Sequence, residues 1–348
     1  MDFPLDRRSF IAGSVSAVAS AAAALTTEAR AAENSAPLKL GILSAATYGR
    51  AGQRRRGSNH GTAFSTTFNG WNDDKLAGFQ GTFVKSSRRL TGARVVKIWD
   101  PDQAAAAALA EACDIESVTR TPEQCSEGVD AVLIVDDGSL EQWKLAEHPL
   151  KKGVPTFCDK PLAMTAREAA AIARLARETK TRFMSASSLR FVPDIRALRD
   201  ELPQLGEVGL ATAICGNELV YYGIHALSMI YAVLGRGAVS AINVGRPGSN
   251  VVRLRFGDKR DVVLMVAEKE TMRAGYQINL YGTKGWRTVT PNLKDLYSYL
   301  LEAFLDLVVT GNESVPIEEE VEVIAALEAG KRSLELGREV QLSEVLDG

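Results

Sequence analysis

The residues best placed to do chemistry lie in the stretch Phe157-Cys158-Asp159-Lys160-Pro161-Leu162. An apolar, β-prone run from Val154 to Phe157 stops at an acid, a lysine and a proline. The pattern from Thr165 to Lys180 then has Ala and Leu at helical spacing, with Thr165 placed to cap the first amides. Lys160 is therefore expected in a strand-to-helix turn. In an open α/β sheet, turns at the carboxyl ends of strands line the ligand crevice, and Pro161 restricts the turn through its fixed φ. A lysine there can stabilise a negative charge developing on a reacting oxygen. The alternative is a solvated loop lysine.

Positioning such a lysine requires a sheet, and the chain predicts one. Leu38 to Leu43 reads as the first strand of a parallel sheet, followed by Ser44-Ala45-Ala46-Thr47-Tyr48-Gly49. A dinucleotide fingerprint places glycine at the first, third and sixth positions of such a turn, for tightness, close approach to pyrophosphate and helix packing. Only Gly49 meets it, although Ser44 and Ala46 are small enough for a phosphate to approach. The acid that grips ribose hydroxyls matches Asp100, at the end of the strand Ala93 to Trp99. It comes roughly 30 residues later than the usual spacing, so Arg50 to Gly92 is read as an insertion. That insertion reads as a loop with one short helix around Thr62 to Asn69. It carries Arg54, Arg55, Arg56, Asn59, His60 and Trp71. Its arginines either neutralise phosphate or form a solvated loop face.

Beyond Asp100 the chain alternates. Helices are expected at Gln103 to Ala112, Pro122 to Ser126 and Leu140 to Lys151, and strands at Ala131 to Val135, Val154 to Phe157 and Thr181 to Ser185. This beat implies a Rossmann-type, doubly wound parallel sheet over residues 38–190. Residues 191–348 change character. Strands at 208–215, 239–244, 251–256, 261–266 and 276–281, with a Gly257-Asp258 hairpin, predict a second α/β domain on an open, largely antiparallel sheet. Helices follow at Leu293 to Thr310 and Ile317 to Glu335, and the stripe Leu296, Tyr299, Leu300, Phe304, Val308 reads as core. Tyr297 and Tyr299 are aromatic candidates for stacking on a ring-shaped ligand, should that helix border a pocket.

The 348 residues have a formal net charge of -2, which gives no support to nucleic-acid binding. Arg7-Arg8-Ser9-Phe10-Ile11, an alanine-rich apolar run to Leu25 and Ala29-Arg30-Ala31 read as a twin-arginine export signal cleaved near residue 31, with no membrane span left afterwards. A periplasmic location is expected. Cys113, Cys125, Cys158 and Cys215 lack metal-ligand spacing. With three histidines and no paired His or Cys motif, neither a metal site nor a disulfide is expected.

Asp130-Ala131-Val132-Leu133-Ile134-Val135 and the run Gly153 to Leu162 together resemble the Gfo/Idh/MocA oxidoreductases. The likeness continues through Arg190-Phe191-Val192-Pro193, Gly206-Glu207-Val208-Gly209, Gly223-Ile224-His225 and Tyr281-Gly282-Thr283-Lys284-Gly285. The resemblance implies an N-terminal domain holding NAD or NADP, and a C-terminal domain that carries a carbohydrate-like substrate and builds a homo-oligomer. It assigns Lys160 to polarising the reacting hydroxyl and His225 to exchanging its proton. Asp159, Lys160 and Pro161 then lie against the nicotinamide, and Arg190 and Tyr222 on the substrate side. Asp100, with no basic residue after it, favours NAD.

Three departures from the family pattern stand out. Tyr221 stands one turn before His225 where the family places an aspartate, and at i, i+4 it can hydrogen-bond His225 but supplies no charge. Two fingerprint glycines are replaced. The connection between the strand ending near Cys215 and the His225 helix is short, so the pocket is either more open or completed by the 50–92 insertion. The departures leave two other readings: a redox-inactive carbohydrate-binding accessory protein, and a lyase or hydrolase working through a transient keto-sugar without net redox.

Overall fold

The computed structural model describes residues 36–49, 52–77, 87–136, 138 and 140–347. The expected export signal lies outside the described residues. Among them, no helix is long and apolar enough to cross a membrane.

Six strands form the first sheet: β1 (Leu38–Leu43), β4 (Ala93–Trp99), β5 (Ser117–Val118), β6 (Ala131–Ile134), β7 (Thr156–Cys158) and β8 (Phe183–Met184). Their order is β5-β4-β1-β6-β7-β8, with every pairing parallel. The chain winds one way from β1 through β4 to β5 and the other way from β6 to β8. The switch point therefore lies between the carboxyl ends of β1 and β6, where open sheets bind ligands. Residues Ala131–Ile134 are buried on both faces, as a covered parallel sheet requires. Side chains of Asp102, Thr121 and Thr165 cap the following helices at Gln103–Ala112, Pro122–Ser126 and Ala166–Glu178.

The expected insertion resolves differently from its reading in the sequence. Residues Asn59–Asn69 form an 11-residue helix capped by Ser58, most of it buried and packed beside β4. It is the first crossover helix of the sheet and not a loop ornament. What is inserted ahead of it is a small hairpin of β2 (Thr47–Tyr48) and β3 (Arg55–Arg56). The helix expected from Leu140 begins only at Trp143, since Leu140 has φ 66°. Strand bounds shift by one or two residues at β7 and β8.

The second sheet has seven strands: β9 (Val208–Gly216), β10 (Ala238–Asn243), β11 (Ser249–Phe256), β12 (Asp261–Ala267), β13 (Gln277–Gly282), β14 (Gly285–Val289) and β15 (Val340–Gln341). Its order is β14-β13-β9-β12-β11-β10-β15, antiparallel except for β9 beside β12. Helices Gly223–Leu234 and Ile317–Leu336 cover one face. The helix Leu296–Thr310 crosses back and packs on Asn59–Asn69, placing Leu300, Leu301 and Phe304 in one apolar cluster with Phe64 and Phe157. Phe157 and Phe304 lie 5.7 Å apart between ring centres. The two sheets thus share a core, which fixes the Lys160 turn against the His225 helix.

Arg190, expected on the substrate side, is instead part of this shared interior. Its guanidinium pairs with Glu319 and donates to the Ser228 carbonyl at 3.3 Å. Beside it Glu320 is fully buried, and neither carboxyl oxygen has a hydrogen-bond partner. Burial pushes the Glu320 carboxyl up to about 8; Arg190 opposes the shift and Glu319 adds to it. The folded state therefore binds more protons than the unfolded one between the ordinary value of 4.5 and about 8, so this group makes stability fall as pH rises through that window. Glu320→Gln should raise Tm by roughly 2 °C or more near pH 8 and leave it little changed at pH 4. Thermal melts across pH check this, and a variant with an undiminished pH slope would refute it.

Candidate active site

The loop after β1 is held from below by one carboxylate. Asp100 is fully buried and accepts from the Ala46 amide (2.9 Å), the Thr47 amide (3.1 Å), the Thr47 hydroxyl (2.9 Å) and the Asp102 amide (2.9 Å). Burial raises its pKa and these hydrogen bonds lower it, with burial the larger effect. A carboxylate has about four acceptor sites, so Asp100 is saturated by its own loop. The sequence offered it for ribose; the structure uses it to order the turn.

Above it the inserted hairpin drops Arg54 into the switch point. Its Nε donates to the Thr47 hydroxyl (2.7 Å), and its two terminal nitrogens to the Ser44 hydroxyl (2.8 Å) and the Asp136 carboxylate (2.7 Å). Ser44 also donates to Asp136 at 2.9 Å. Gly49 sits in the hairpin, not at a helix start. The close helix packing that a fingerprint glycine provides falls to Gly61, where an added Cβ would lie 2.0 Å from the Ala45 carbonyl oxygen.

Asp159 and Lys160 follow β7 and are both buried, so Lys160 is not the solvated lysine of a surface turn. Gln142 holds the turn by donating to the carbonyls of Asp159 and Pro161, each at 2.6 Å. The Lys160 ammonium lies over the rings of Tyr221 (4.3 Å) and Tyr222 (5.4 Å), a cation–π arrangement that stabilises a charged amine away from water. His225, two residues inside its helix, is flanked by Tyr222 and Tyr276 at 5.7 and 5.4 Å between ring centres. Its Nδ1 lies 2.8 Å from the Ser187 hydroxyl, which itself accepts from the Leu189 amide. Ser187 can thus donate to Nδ1, which leaves the ring proton on Nε2. Burial, then the charges of Lys160 and His60, hold the His225 pKa well below its ordinary value. Ser187 was missed from the sequence because no spacing connects it with His225, 38 residues away.

A further group reaches this centre. His60, in the first turn of its helix, pairs through Nδ1 with the Asp159 carboxylate, and its ring stands 4.9 Å from that of Tyr297. The sequence reading noted His60 only as part of an insertion.

Two cavities flank the tyrosines. One of about 810 Å³ is lined by Gly216, Asn217, Tyr222, Tyr276 and the 268–275 loop. The other, about 510 Å³, lies at the carboxyl ends of β1 and β6. It is lined by Tyr48, Gly49, Gln53, Arg55, Gly138 and Tyr221, with Glu218 and Lys331. The short connection before the His225 helix is therefore offset on one side by the hairpin and on the other by the 268–275 loop.

The second cavity suits a dinucleotide by position and by charge. Arg55 and Lys331 line it and neither is in an ion pair among the described residues. The amides of Ala46 and Thr47, which a fingerprint loop would turn toward pyrophosphate, are taken by Asp100. Phosphate charge would fall to these side chains. Among the described residues no cluster of His, Cys, Asp or Glu could hold a metal, and all four cysteines are buried free thiols.

A parallel sheet with its crevice at the switch point, an Asp-Lys-Pro turn at that crevice and a second sheet that brings a histidine to the lysine define a nicotinamide-dependent oxidoreductase class of enzyme. Comparison with known proteins agrees: residues 50–187 match the model of the Gfo/Idh/MocA oxidoreductase family, NAD-binding Rossmann fold. Inositol dehydrogenases are among its homologues. Inositol 2-dehydrogenase of Rhizobium meliloti is 24% identical over 221 residues, covering 56% of this chain and 67% of that protein. Inositol 2-dehydrogenase of Corynebacterium glutamicum is 33% identical over 126 residues, covering 35% of this chain and 37% of that one. The match thus spans about two thirds of the first relative and little over a third of the second. Among solved structures, scyllo-inositol dehydrogenase from Lactobacillus casei with NAD(H) and scyllo-inositol superposes with TM-score 0.70 at 15% identity, covering 88% of this chain and all of that one. Myo-inositol 2-dehydrogenase from Lactobacillus plantarum gives 0.69 at 14%, with 88% and 99% covered.

If Ser187 fixes the His225 tautomer, Ser187→Ala should shift the two ring-nitrogen signals of His225 toward their tautomeric average in ¹⁵N-histidine NMR, and Ser187→Thr should preserve the split. Unchanged signals in the alanine variant would show that the hydroxyl does not set the tautomer.

Proposed function

We propose that the protein oxidises or reduces a secondary hydroxyl of a sugar or cyclic polyol, with NAD held in the crevice lined by Arg55, Lys331 and Tyr221. The observation that carries this reading is the meeting of Lys160 and His225 at the tyrosine wall between two cavities. One cavity faces the sheet switch point, and the other is bounded by the second sheet, which supports a cofactor and a substrate on either side of the tyrosine wall.

The bound nicotinamide supplies the hydride acceptor. The protein must lower the cost of the alkoxide that forms as hydride departs. A buried ammonium does this strongly because little water screens it. Lys160 is buried against two aromatic faces, which suit an ammonium, and it needs no reorganisation when the negative charge appears. His225, protonated on Nε2, offers a second hydrogen bond to the same oxygen. Tyr222 and Tyr276 give the larger cavity an aromatic wall of the kind that packs against the apolar face of a sugar ring.

The relatives' activity on inositols supports a cyclic polyol as substrate class, and the preserved Lys160 and His225 support catalysis over mere binding. The consumed amides of Ala46 and Thr47 favour the second reading, an accessory protein that no longer turns over. We propose export by the twin-arginine route on the Arg7-Arg8 motif. We also propose a homo-oligomer through the open face of the second sheet, where Leu210, Tyr281 and Trp286 stand in one exposed row in register.

Denaturing the protein purified without added cofactor should release NAD, identified by mass spectrometry, or NAD should raise its Tm. Ligand at about a hundred times its Kd adds roughly 2.7 kcal/mol. Lys160→Met should keep that response and lose turnover on a polyol panel by at least about a hundredfold. A wild-type protein with neither bound NAD nor a thermal response would overturn the oxidoreductase reading in favour of the accessory one.

A further inference from the structure

We propose that Arg54 is the cation that takes the cofactor's diphosphate, and that it does so by exchanging the Asp136 carboxylate for phosphate when the dinucleotide binds. The inference deepens the NAD reading and rests on it.

A Rossmann-type crevice ordinarily receives a diphosphate on backbone amides, those of the loop after the first strand and those that open the first crossover helix. Here both sources are engaged. The Ala46 and Thr47 amides donate to Asp100 at 2.9 and 3.1 Å. The crossover helix begins only at Asn59, and its Gly61 amide donates to the hydroxyl of buried Ser58 at 2.9 Å. A diphosphate at the switch point therefore has to be met by side chains.

Arg54 is the side chain set there. In the run Arg54-Arg55-Arg56 the second and third arginines are exposed, whereas Arg54 turns its guanidinium inward and leaves 15% of the side chain exposed. It spans the crevice. Ser44 directly follows β1 and Asp136 lies just beyond β6, and the guanidinium donates to both, at 2.8 and 2.7 Å. Gln53 and Arg55 on either side of it line the cavity of about 510 Å³, as do Tyr48, Gly49 and Gly138. The guanidinium also lies 3.4 Å from the Gly49 carbonyl oxygen, so it stands against the wall of that cavity.

In this state the strand ends are poorly disposed to an anion. The charge of Arg54 is matched by Asp136, and the carboxylate presents a like charge to a phosphate at the same place. One movement removes both obstacles. A guanidinium is a planar fork that suits phosphate as well as carboxylate, and a diphosphate carries more negative charge than the carboxylate it replaces. Asp136 still accepts from the Ser44 hydroxyl at 2.9 Å, so releasing Arg54 does not leave it without a donor. Arg54 adjoins a hairpin whose strands pair over only two residues each, so its movement need not disturb the main sheet. The ion pair thus competes with the cofactor, and the affinity for NAD falls by the fraction of molecules in which it is closed.

The experiment is titration calorimetry of the full chain, freed of copurified nucleotide, with NAD and with ADP-ribose, which carries the diphosphate without the nicotinamide. Wild type, Arg54→Ala and Asp136→Asn are compared. Both substitutions break the same ion pair, so a role confined to holding the fold would weaken binding in both. The exchange instead gives opposite signs: Arg54→Ala weakens both ligands by at least about tenfold, and Asp136→Asn tightens both by about threefold or more. Wild-type affinity in Arg54→Ala, or weaker binding in Asp136→Asn, would overturn the exchange and leave the oxidoreductase reading standing. A wild type that binds neither ligand overturns that reading and this inference with it. Should Arg54→Ala fail to fold, Asp136→Asn decides alone: tighter binding supports the exchange, and unchanged or weaker binding ends it.

Discussion

The interaction on which the rest of this structure depends is the set of four hydrogen bonds that the Asp100 carboxylate receives from its own neighbourhood. A buried carboxylate without partners would cost several kcal/mol. Here the β1 loop and the start of the next turn supply them. The loop is thereby committed to a conformation in which its amides point inward at Asp100 and not outward at a ligand. This commitment permits the hairpin. With the turn fixed from below, the chain can run through β2 and β3 before starting its first helix, and Arg54 can fold back to bridge Ser44, Thr47 and Asp136.

Much of the fold was legible in the sequence because burial on both faces leaves unbroken apolar runs. β1, β4, β6 and the Thr165-capped helix could be placed from such runs and caps. The Asn59–Asn69 helix was under-read for a physical reason. Its sequence is rich in Thr, Ser, Gly and Asn, which have weak helix propensity; the hydroxyls of Thr66 and Thr67 bond to carbonyls one turn back, while those of Thr62 and Ser65 are buried without a partner among the described residues. Tertiary contact with the sheet and the Leu296–Thr310 helix, and not local preference, makes it helical.

The site was legible in part. Lys160 could be found because a strand, a turn and a helix cap are local signals, and His225 because the resemblance supplied its segment. Arg190 was misplaced toward substrate: its charge is spent on Glu319 and the Ser228 carbonyl inside the interface between the domains. Asp100 and Gly49 occupy the expected elements but do other work, one ordering the loop and the other turning the hairpin. Ser187 and His60 carried no signal at all. Each meets its partner across the fold, 38 residues away for Ser187 and 99 for His60, and no periodicity encodes that distance.

The arrangement also explains how a buried ammonium is tolerated in a centre that holds two histidines. Placing two cations close together in a desolvated site is expensive, and like charges there drive one of them neutral. The chain divides the task. The Lys160 ammonium lies against the faces of Tyr221 and Tyr222, with the Asp159 carboxylate one residue away. His225 gives up charge altogether and keeps only a directed N–H. The tyrosine at 221, where a carboxylate would have favoured a charged His225, therefore fits the electrostatics of the whole centre. An anion there would compete with a developing alkoxide for the same ammonium, whereas an aromatic face holds the ammonium and adds no full negative charge. The carboxylate nearest in the chain, Asp159, is turned toward His60 and is paired there.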